Sequence, residues 1–274
     1  MLRRHRPILL TVGAASASFL ALGALRYDEL AGSLGATSGL WFLAGALYAN
    51  LFEHWVHRFP MHQGFPMLRN VRWHHIEHHR IFHGSNFRTA RPGDLAHIPG
   101  RPWIFPILLG AHYALLTAIL PLGAAMAFLL ASLLHYLGFE ISHWLTHLDG
   151  NAVDRALARV PLLAGIRAHQ IEHHRLHHET PNEAFNFNPP YLGDVLLGRK
   201  RASRPGRAPA PVPAPLLGPV LAPAIAPVLA TRRAMARPVV LFGTAIVLGA
   251  VALGIAAFQH SRTMAGASSP RTRS

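Results

Sequence analysis

Residues 30–62 read LAGSLGATSGLWFLAGALYANLFEHWVHRFPMH, and this stretch decides the fold class. Its first part, 30–52, carries no charge and has the length that a helix needs to cross a bilayer, about 20 residues at about 1.5 Å each. Glu53, His57 and His62 follow directly. The pattern predicts a membrane-crossing helix with histidines at the point where it leaves the apolar layer.

Three further stretches are also apolar. They are residues 7–25, residues 103–139 with a break near Pro121, and residues 238–258. The stretch 103–139 is long enough for two spans or for a deeply inserted helical hairpin. Because 7–25 follows a basic start, a signal peptide is the alternative interpretation there. We predict an all-α, polytopic membrane protein with about four to five apolar helices.

The composition limits the classes of partner and site. The chain has 274 residues, of which 51% are hydrophobic and 14% charged, and its net charge is +14. With so apolar a chain, a membrane surface explains the positive charge better than nucleic acid does. There is no cysteine, which excludes disulfides, iron–sulfur clusters and thiolate ligands. The 20 histidines indicate a metal held by imidazole.

The order of the apolar stretches predicts on which side the histidines lie. An even number of crossings separates two polar segments, 53–102 and 140–215, so both face the same side. Their arginines make this side cytoplasmic by the positive-inside rule. We therefore expect a cytoplasmic helical cap that carries a histidine-rich dimetal site. The arginine bias and the Ala/Pro-rich end of the chain are typical of a GC-rich bacterial genome, which favours the bacterial inner membrane.

The candidate metal ligands form four groups, three of which have helical spacing. Imidazoles at i, i+3 and i+4 share one helix face and can present nitrogens to a common point. HxxxxH is not a single helical face but suits a helix end at the membrane boundary. The ten candidates are His57, His62, His75, His78, His79, His143, His147, His174, His177 and His178.

Ten imidazoles would fill most of the coordination of two ions. Imidazole suits iron, zinc, copper and nickel, so the ligands do not name the metal. A carboxylate-bridged di-iron site is disfavoured, since only Glu140 and His143 form a clear Glu-x-x-His pair. The alternative is that the histidines lie on solvated basic helix faces that bind lipid head groups. Binding of head groups does not require the helical spacing to be repeated, so this alternative does not explain the pattern.

From about Glu53 to Gly198 the sequence resembles the fatty acid hydroxylase and sterol desaturase superfamily. HRFPMH, HIEHH, HWLTH and HRLHH are similar to its four histidine boxes. The segment after the last box also matches, at Asn186, Phe187, Pro190, Asp194 and Gly198.

The resemblance implies a membrane-bound oxygenase. Its dimetal site, with two iron ions, would use O₂ to hydroxylate or desaturate a lipid substrate of the fatty acyl, sterol or carotenoid class. Zinc is the alternative ion in a purified form. Four neighbouring carboxylates are candidates for orienting the imidazoles: Glu53, Glu77, Glu140 and Glu172.

The two HxxHH motifs leave a second register open. Extra histidines flank both of them: His74 and His83 in one, and His169 and His173 in the other. A shift of one turn would make His79 and His83, or His169, His173 and His174, the ligands. The family's distance from His178 to the Asn-Phe element favours the register chosen above.

No flavin, nicotinamide or iron–sulfur motif occurs in the sequence, so electrons must come from a separate donor. We expect a ferredoxin or a small haem protein that docks on the arginine-rich face. The alternative function is a divalent-metal transporter or a metal-binding membrane protein, which needs ionisable residues within the spans. A metal-dependent membrane hydrolase is disfavoured, because such sites keep a carboxylate ligand.

The predicted organisation has five parts. They are two N-terminal transmembrane helices in 1–52, a catalytic domain in 53–198 with the membrane hairpin 103–139, a Pro/Arg/Ala-rich linker in 199–237, a C-terminal transmembrane helix in 238–258 and a disordered tail in 259–274. Whether 216–230 enters the membrane is left open.

Overall fold

The computed structural model describes residues 2–197, and this part of the chain is helical, with one isolated β-bridge between Thr89 and Leu148. The predicted linker, C-terminal transmembrane helix and tail lie outside the described residues, as does Gly198. Within them the α-helices are, in order, α1 (Leu2–Ala24), α2 (Tyr27–Ser33), α3 (Ala36–Val56), α4 (Arg69–Ile81), α5 (Pro92–Leu95), α6 (Ile104–Ile119), α7 (Leu122–His147), α8 (Ala152–Leu157), α9 (Pro161–Glu179) and α10 (Leu192–Leu197). A π-helix, His57–Gln63, continues α3.

Two helices in the described part are long and apolar enough to cross a membrane, Arg4–Ala24 and Leu122–His147. A third span results if Tyr27–Ser33 and Ala36–Gln63, which are bent by 103° to each other, are taken as one. Ile104–Ile119 is a shorter apolar helix. The all-helical class is confirmed. The described residues supply two or three spans by length and composition, and the expected total of about four to five apolar helices stays a prediction.

The continuous span predicted for 30–52 is interrupted in the structure. Ser33 ends α2, and α3 begins only after Gly35, whose backbone is extended and whose N–H donates to Ser38 Oγ at 3.3 Å. The interruption lies against α7, because a Cβ on Gly123 would lie only 2.4 Å from the carbonyl oxygen of Ser33. Hydropathy alone missed this break because all the residues around it are uncharged.

The helix pair α3 and α7 forms the centre of the fold. At Gly45 the two backbones approach so closely that a Cβ there would lie 2.4 Å from the carbonyl oxygen of Phe128. Side chains of α1, α6 and α7 complete a hydrophobic core that includes Ala15, Leu109 and Leu129. Large apolar side chains on the outer faces are exposed, as expected for surfaces in contact with lipid: Leu20, Leu40, Leu43, Leu47, Ile107 and Ile119.

Helix α7 carries the fold from the apolar layer to the histidines. Its 26 residues are longer than a bilayer core requires. The end with His143 and His147 therefore extends beyond the apolar layer. There it meets the π-helix, α4 and α9, which bear the remaining candidate histidines.

Candidate metal centre

The ten histidines singled out by their spacing lie together in two clusters of five. The first cluster is His57, His62, His75, His79 and His177, and the second cluster is His78, His143, His147, His174 and His178. Within each cluster one nitrogen of every ring lies within 4.8 Å of all the others. The clusters adjoin, since the ring centroids of His79 and His178 are 4.2 Å apart.

The two HxxHH motifs are divided between the clusters. On α4, His75 and His79 belong to the first cluster and His78 to the second. On α9, His177 belongs to the first cluster, and His174 and His178 belong to the second. The expectation that each triplet presents its nitrogens to one point was therefore wrong. Neighbours in sequence are rotated by about 100° around a helix, so His78 and His79 diverge toward different centres.

The HxxxxH motif lies on a π-helix, His57–Gln63, which is the end of the helix that begins as α3. Pro60 lies inside this helix and lacks the N–H that an α-helical hydrogen bond requires. Hydrogen bonds from i+5 to i, such as that from Gly64 N–H to Phe59 O at 2.7 Å, widen the turn. Residues five apart thereby share a face, and the His57 and His62 rings lie 5.3 Å apart.

The nitrogen separations match those of ligands around one ion. In the first cluster, His75 Nε2 lies 3.2 Å from His57 Nε2 and 2.9 Å from His62 Nε2. In the second, Nε2 of His174 lies 2.9 Å from that of His147. Ligands at about 2.1 Å and at right angles to one another are separated by about 3.0 Å. Five imidazoles in this arrangement fit an octahedral transition-metal ion and leave one position for another ligand.

Backbone carbonyl groups set the orientation of four of the rings. A carbonyl oxygen accepts from Nδ1 of His57 (Phe185, 2.5 Å), His78 (His97, 3.2 Å), His147 (Phe87, 2.7 Å) and His177 (Glu183, 2.8 Å). Because a carbonyl group can only accept, Nδ1 carries the proton in the neutral ring. Nε2 is then unprotonated and turns its lone pair toward the cluster.

Burial keeps the imidazoles neutral. It is the largest cause that lowers the pKa of the six cluster histidines on α4 and α9 below the ordinary value, and charge repulsion between the rings is the second. A neutral imidazole is the form that binds a metal.

Asp194 holds the segment that follows the last histidine motif. Its carboxylate is fully buried and accepts from the N–H groups of Phe185 and Asn186, both at 2.9 Å. It also accepts from His54 Nδ1 and His173 Nε2, both at 3.0 Å. Burial by itself would raise the pKa of Asp194, but the hydrogen bonds from His173 and His54 lower it below its ordinary value.

The other residues of this segment tie it to α3. Asn186 Nδ2 donates to the carbonyl oxygen of Asn50 at 2.7 Å, and Asn50 Nδ2 donates to that of Asn188 at 3.0 Å. Phe187 packs its ring against His143 and His174. His54 is not among the ten predicted ligands, and its pairing with Asp194 was not predicted. Its i, i+3 spacing to His57 was the available signal.

The four carboxylates considered as orienting groups have other partners. Glu53 binds His135 at 2.5 Å, and Glu140 accepts from the N–H of Gly100 at 3.2 Å. Glu77 pairs with Arg80, and Glu172 with Arg175. In the described part of the chain, none of them hydrogen-bonds to a histidine of either cluster. Backbone carbonyl groups fill that role instead.

The histidines of the alternative register lie outside both clusters. His74 contacts the carbonyl oxygen of Pro99 at 3.0 Å, and His83 is exposed. On α9, His169 packs against Tyr191 and His173 pairs with Asp194.

The chain is similar to one curated protein, fatty acid 2-hydroxylase from Macaca fascicularis. The two are 24% identical over 139 residues, which cover 51% of this chain and 34% of that protein. The matched region thus spans about a third of the relative's length. No family model and no solved structure matches the chain. The histidine motifs, their convergence into two clusters and this match together support the fatty acid hydroxylase superfamily as the group of proteins that this chain resembles.

Proposed function

We propose that this protein is a membrane-bound lipid hydroxylase with one iron ion in each histidine cluster. The observation that carries the proposal is the pair of adjoining clusters, each with five imidazole nitrogens at ligand spacing. Transport would call for a path of ionisable ligands through the spans. The two histidines at membrane depth, His112 and His135, are instead paired with Tyr48 and Glu53.

The chemistry follows from the donor set. When bound, a pair of iron ions would supply the oxidising power with which O₂, two electrons and two protons convert a lipid C–H bond to C–OH and release water. The protein holds ten neutral imidazoles in fixed orientation, which leaves the positive charge of the ions uncompensated. The apolar helices below the clusters hold the lipid chain and exclude water from it.

Desaturation is the other outcome of the same hydrogen abstraction, and acyl, sterol and carotenoid chains are all apolar enough for the site. Only the 2-hydroxylase relative favours hydroxylation of a fatty acyl chain. The active site would lie on the cytoplasmic face of a bacterial inner membrane. A small acidic ferredoxin or haem protein would deliver electrons to the surface that exposes Arg69, Arg80, Arg91, Arg155 and Arg159.

Metal analysis of the purified protein, combined with lipid extracts of the expressing host, tests the proposal. We expect about two iron ions per chain, one for each cluster, and a new hydroxylated lipid. His177→Ala should lower the metal content and abolish the product. His169→Ala, an exposed position on the same helix, should do neither. A wild-type protein with a single zinc ion and an unchanged lipid profile would contradict the proposal.

A further inference from the structure

A cavity of about 150 Å³ lies between α3, α6 and α7, at the depth of the apolar layer. Its walls include Ala49, Phe52, Phe105, Leu108, Leu109 and Leu129. An apolar cavity of about this volume accommodates a ring or a short stretch of hydrocarbon chain. The site is therefore large enough for part of a lipid, but not for a whole one.

This membrane cavity leads to both histidine clusters. His57, Phe139 and Glu140 line it and also line a smaller cavity of about 50 Å³. The walls of the smaller cavity contain histidines of both clusters, among them His75 and His143. A chain that occupies the membrane cavity can therefore reach the proposed metal site.

The far end of the membrane cavity carries a polar pair, Tyr48 and His112. The Tyr48 hydroxyl oxygen lies 2.6 Å from His112 Nε2, and His112 Nδ1 lies 2.7 Å from the carbonyl oxygen of Leu108. Since that carbonyl can only accept, Nδ1 carries the imidazole proton and Nε2 accepts. Tyr48 must then donate its hydroxyl proton to His112.

Because Tyr48 donates its proton to His112, the lone pairs of the Tyr48 oxygen can accept a hydrogen bond at the cavity wall. Among the described residues, no hydrogen bond is donated to it. Polar groups at membrane depth are costly and are commonly functional. Tyr48 lies nine residues before His57, which corresponds to roughly 13 Å along the helix axis. The arrangement complements a hydrogen-bond donor on the buried end of a lipid chain.

We infer that the membrane cavity binds a lipid chain whose buried end carries a hydroxyl group, and that Tyr48, oriented by His112, selects it by accepting a hydrogen bond from that hydroxyl. This inference rests on the proposed function, because it identifies the cavity as the substrate site. The chain extends from the polar pair toward His57, so the carbon presented to the clusters lies at a fixed distance from the hydroxyl.

The other polar groups of the cavity have partners that define their roles. Glu53 accepts from His135 and from the N–H of Asn188, and Glu140 accepts from the N–H of Gly100. Ser132 Oγ donates to the carbonyl oxygen of Phe128 at 3.1 Å. Tyr136, which also lines the cavity, hydrogen-bonds to Glu140. The hydroxyl oxygens of Ser132 and Tyr136 are therefore the rival acceptors in the same cavity.

A competition experiment tests the selection. The full chain is placed in lipid nanodiscs, and palmitate or ω-hydroxypalmitate competes with tritiated palmitate. The ratio of the two competitors' affinities is compared between wild type and Tyr48→Phe/His112→Phe, so that partitioning into the nanodisc lipid cancels. The double variant is needed because Tyr48→Phe alone exposes the acceptor nitrogen of His112. Tyr113→Phe, which removes a tyrosine hydroxyl that does not line the cavity, is the matched control.

We expect the wild type and Tyr113→Phe to favour the hydroxylated competitor roughly 2- to 10-fold more than the double variant does, the size of one net hydrogen bond. If the double variant fails to fold, Tyr48→Phe alone should lower the preference without abolishing it. Equal ratios in wild type and variant would overturn the inference, as would a preference abolished by Ser132→Ala or by Tyr136→Phe. Binding does not depend on turnover, so failure of the proposed function is recognised separately, by missing metal and missing lipid product in the wild type.

Discussion

His57 Nδ1 lies 2.5 Å from the carbonyl oxygen of Phe185, although the residues are 128 positions apart. The N–H of Phe185 in turn donates to the buried carboxylate of Asp194. Asp194 thus fixes the backbone group that orients a histidine of the first cluster. A buried carboxylate acts on the proposed metal site through the backbone, without contact with a cluster histidine.

Asp194→Asn should weaken both the fold and the first cluster. Four groups donate hydrogen bonds to the carboxylate oxygens of Asp194. The amide nitrogen of an asparagine is itself a donor and could accept none of these hydrogen bonds. We expect a loss of about 2 kcal/mol or more in unfolding free energy, together with lower metal content. Thermal unfolding in detergent and metal analysis measure these effects.

Glu172→Gln is the matched control, because Glu172 pairs with Arg175 at the half-exposed surface. Its effect on unfolding should stay within about 0.5 kcal/mol. Equal behaviour of the two variants would refute the positioning role of Asp194.

The register of the second histidine motif can be tested with two alanine variants on either side of the end of α4. His79 belongs to the first cluster, whereas His83 is exposed and lies outside both. His79→Ala should therefore reduce bound metal to about one ion per chain, and His83→Ala should leave the content unchanged. Metal loss in His83→Ala as well as in His79→Ala would establish the alternative register, in which both residues are ligands.

Periodicity was sufficient to select eight of the ten histidines that converge, because i, i+3 and i+4 spacing is a local property of helices. His57 and His62, five residues apart, were selected by their place after the apolar stretch. The same ten residues lie in the two clusters. Their division between two centres depends on how α4 and α9 rotate about their axes when they pack. Tertiary contacts set this rotation, so the division of the triplets was not predictable from spacing.

Two further features depend on the backbone and are invisible to residue patterns. The carbonyl groups that orient His57 and His147 belong to Phe185 and Phe87, whose side chains say nothing about this role. Likewise, the interruption at Gly35 leaves the hydropathy of 30–52 unchanged. Patterns of side chains thus identified the helical class and the candidate metal ligands, but not the contacts that orient these ligands.

Pro60→Ala tests whether the π-helix positions His62. The substitution restores an N–H group and allows α3 to continue as an α-helix, in which residues five apart do not share a face. We expect roughly 10- to 100-fold weaker metal binding at the first cluster, comparable to the loss of an orienting group. Metal titration measures this change.

Pro66→Ala is the control for Pro60→Ala, since Pro66 begins a short 3₁₀ turn outside the π-helix. Its metal affinity should equal that of the wild type. Unchanged affinity in Pro60→Ala would mean that His62 reaches the cluster without the π-helix.

The metal-free protein should lose stability as the pH falls from 7 to 5. The folded state lowers the pKa of the cluster histidines on α4 and α9, including His75 and His174, so the unfolded chain binds more protons below about pH 6.5. Each such histidine then costs about 1.4 kcal/mol per pH unit, until the pH reaches its folded-state pKa. Thermal unfolding of chelator-treated protein measures the effect, and a flat profile over this range would contradict it.

Gly45→Ala should separate α3 from α7. A Cβ at this position would lie 2.4 Å from the carbonyl oxygen of Phe128 and 2.9 Å from its Cα, so the helix backbones must move apart. Small residues allow such close approach between membrane helices. We expect a loss of roughly 1–3 kcal/mol in unfolding free energy, measured in detergent or lipid. Gly39→Ala, on the same helix with no atom within 4 Å of the added Cβ, should leave stability unchanged or slightly raised. Equal losses at both positions would mean that the contact with Phe128 does not determine the effect.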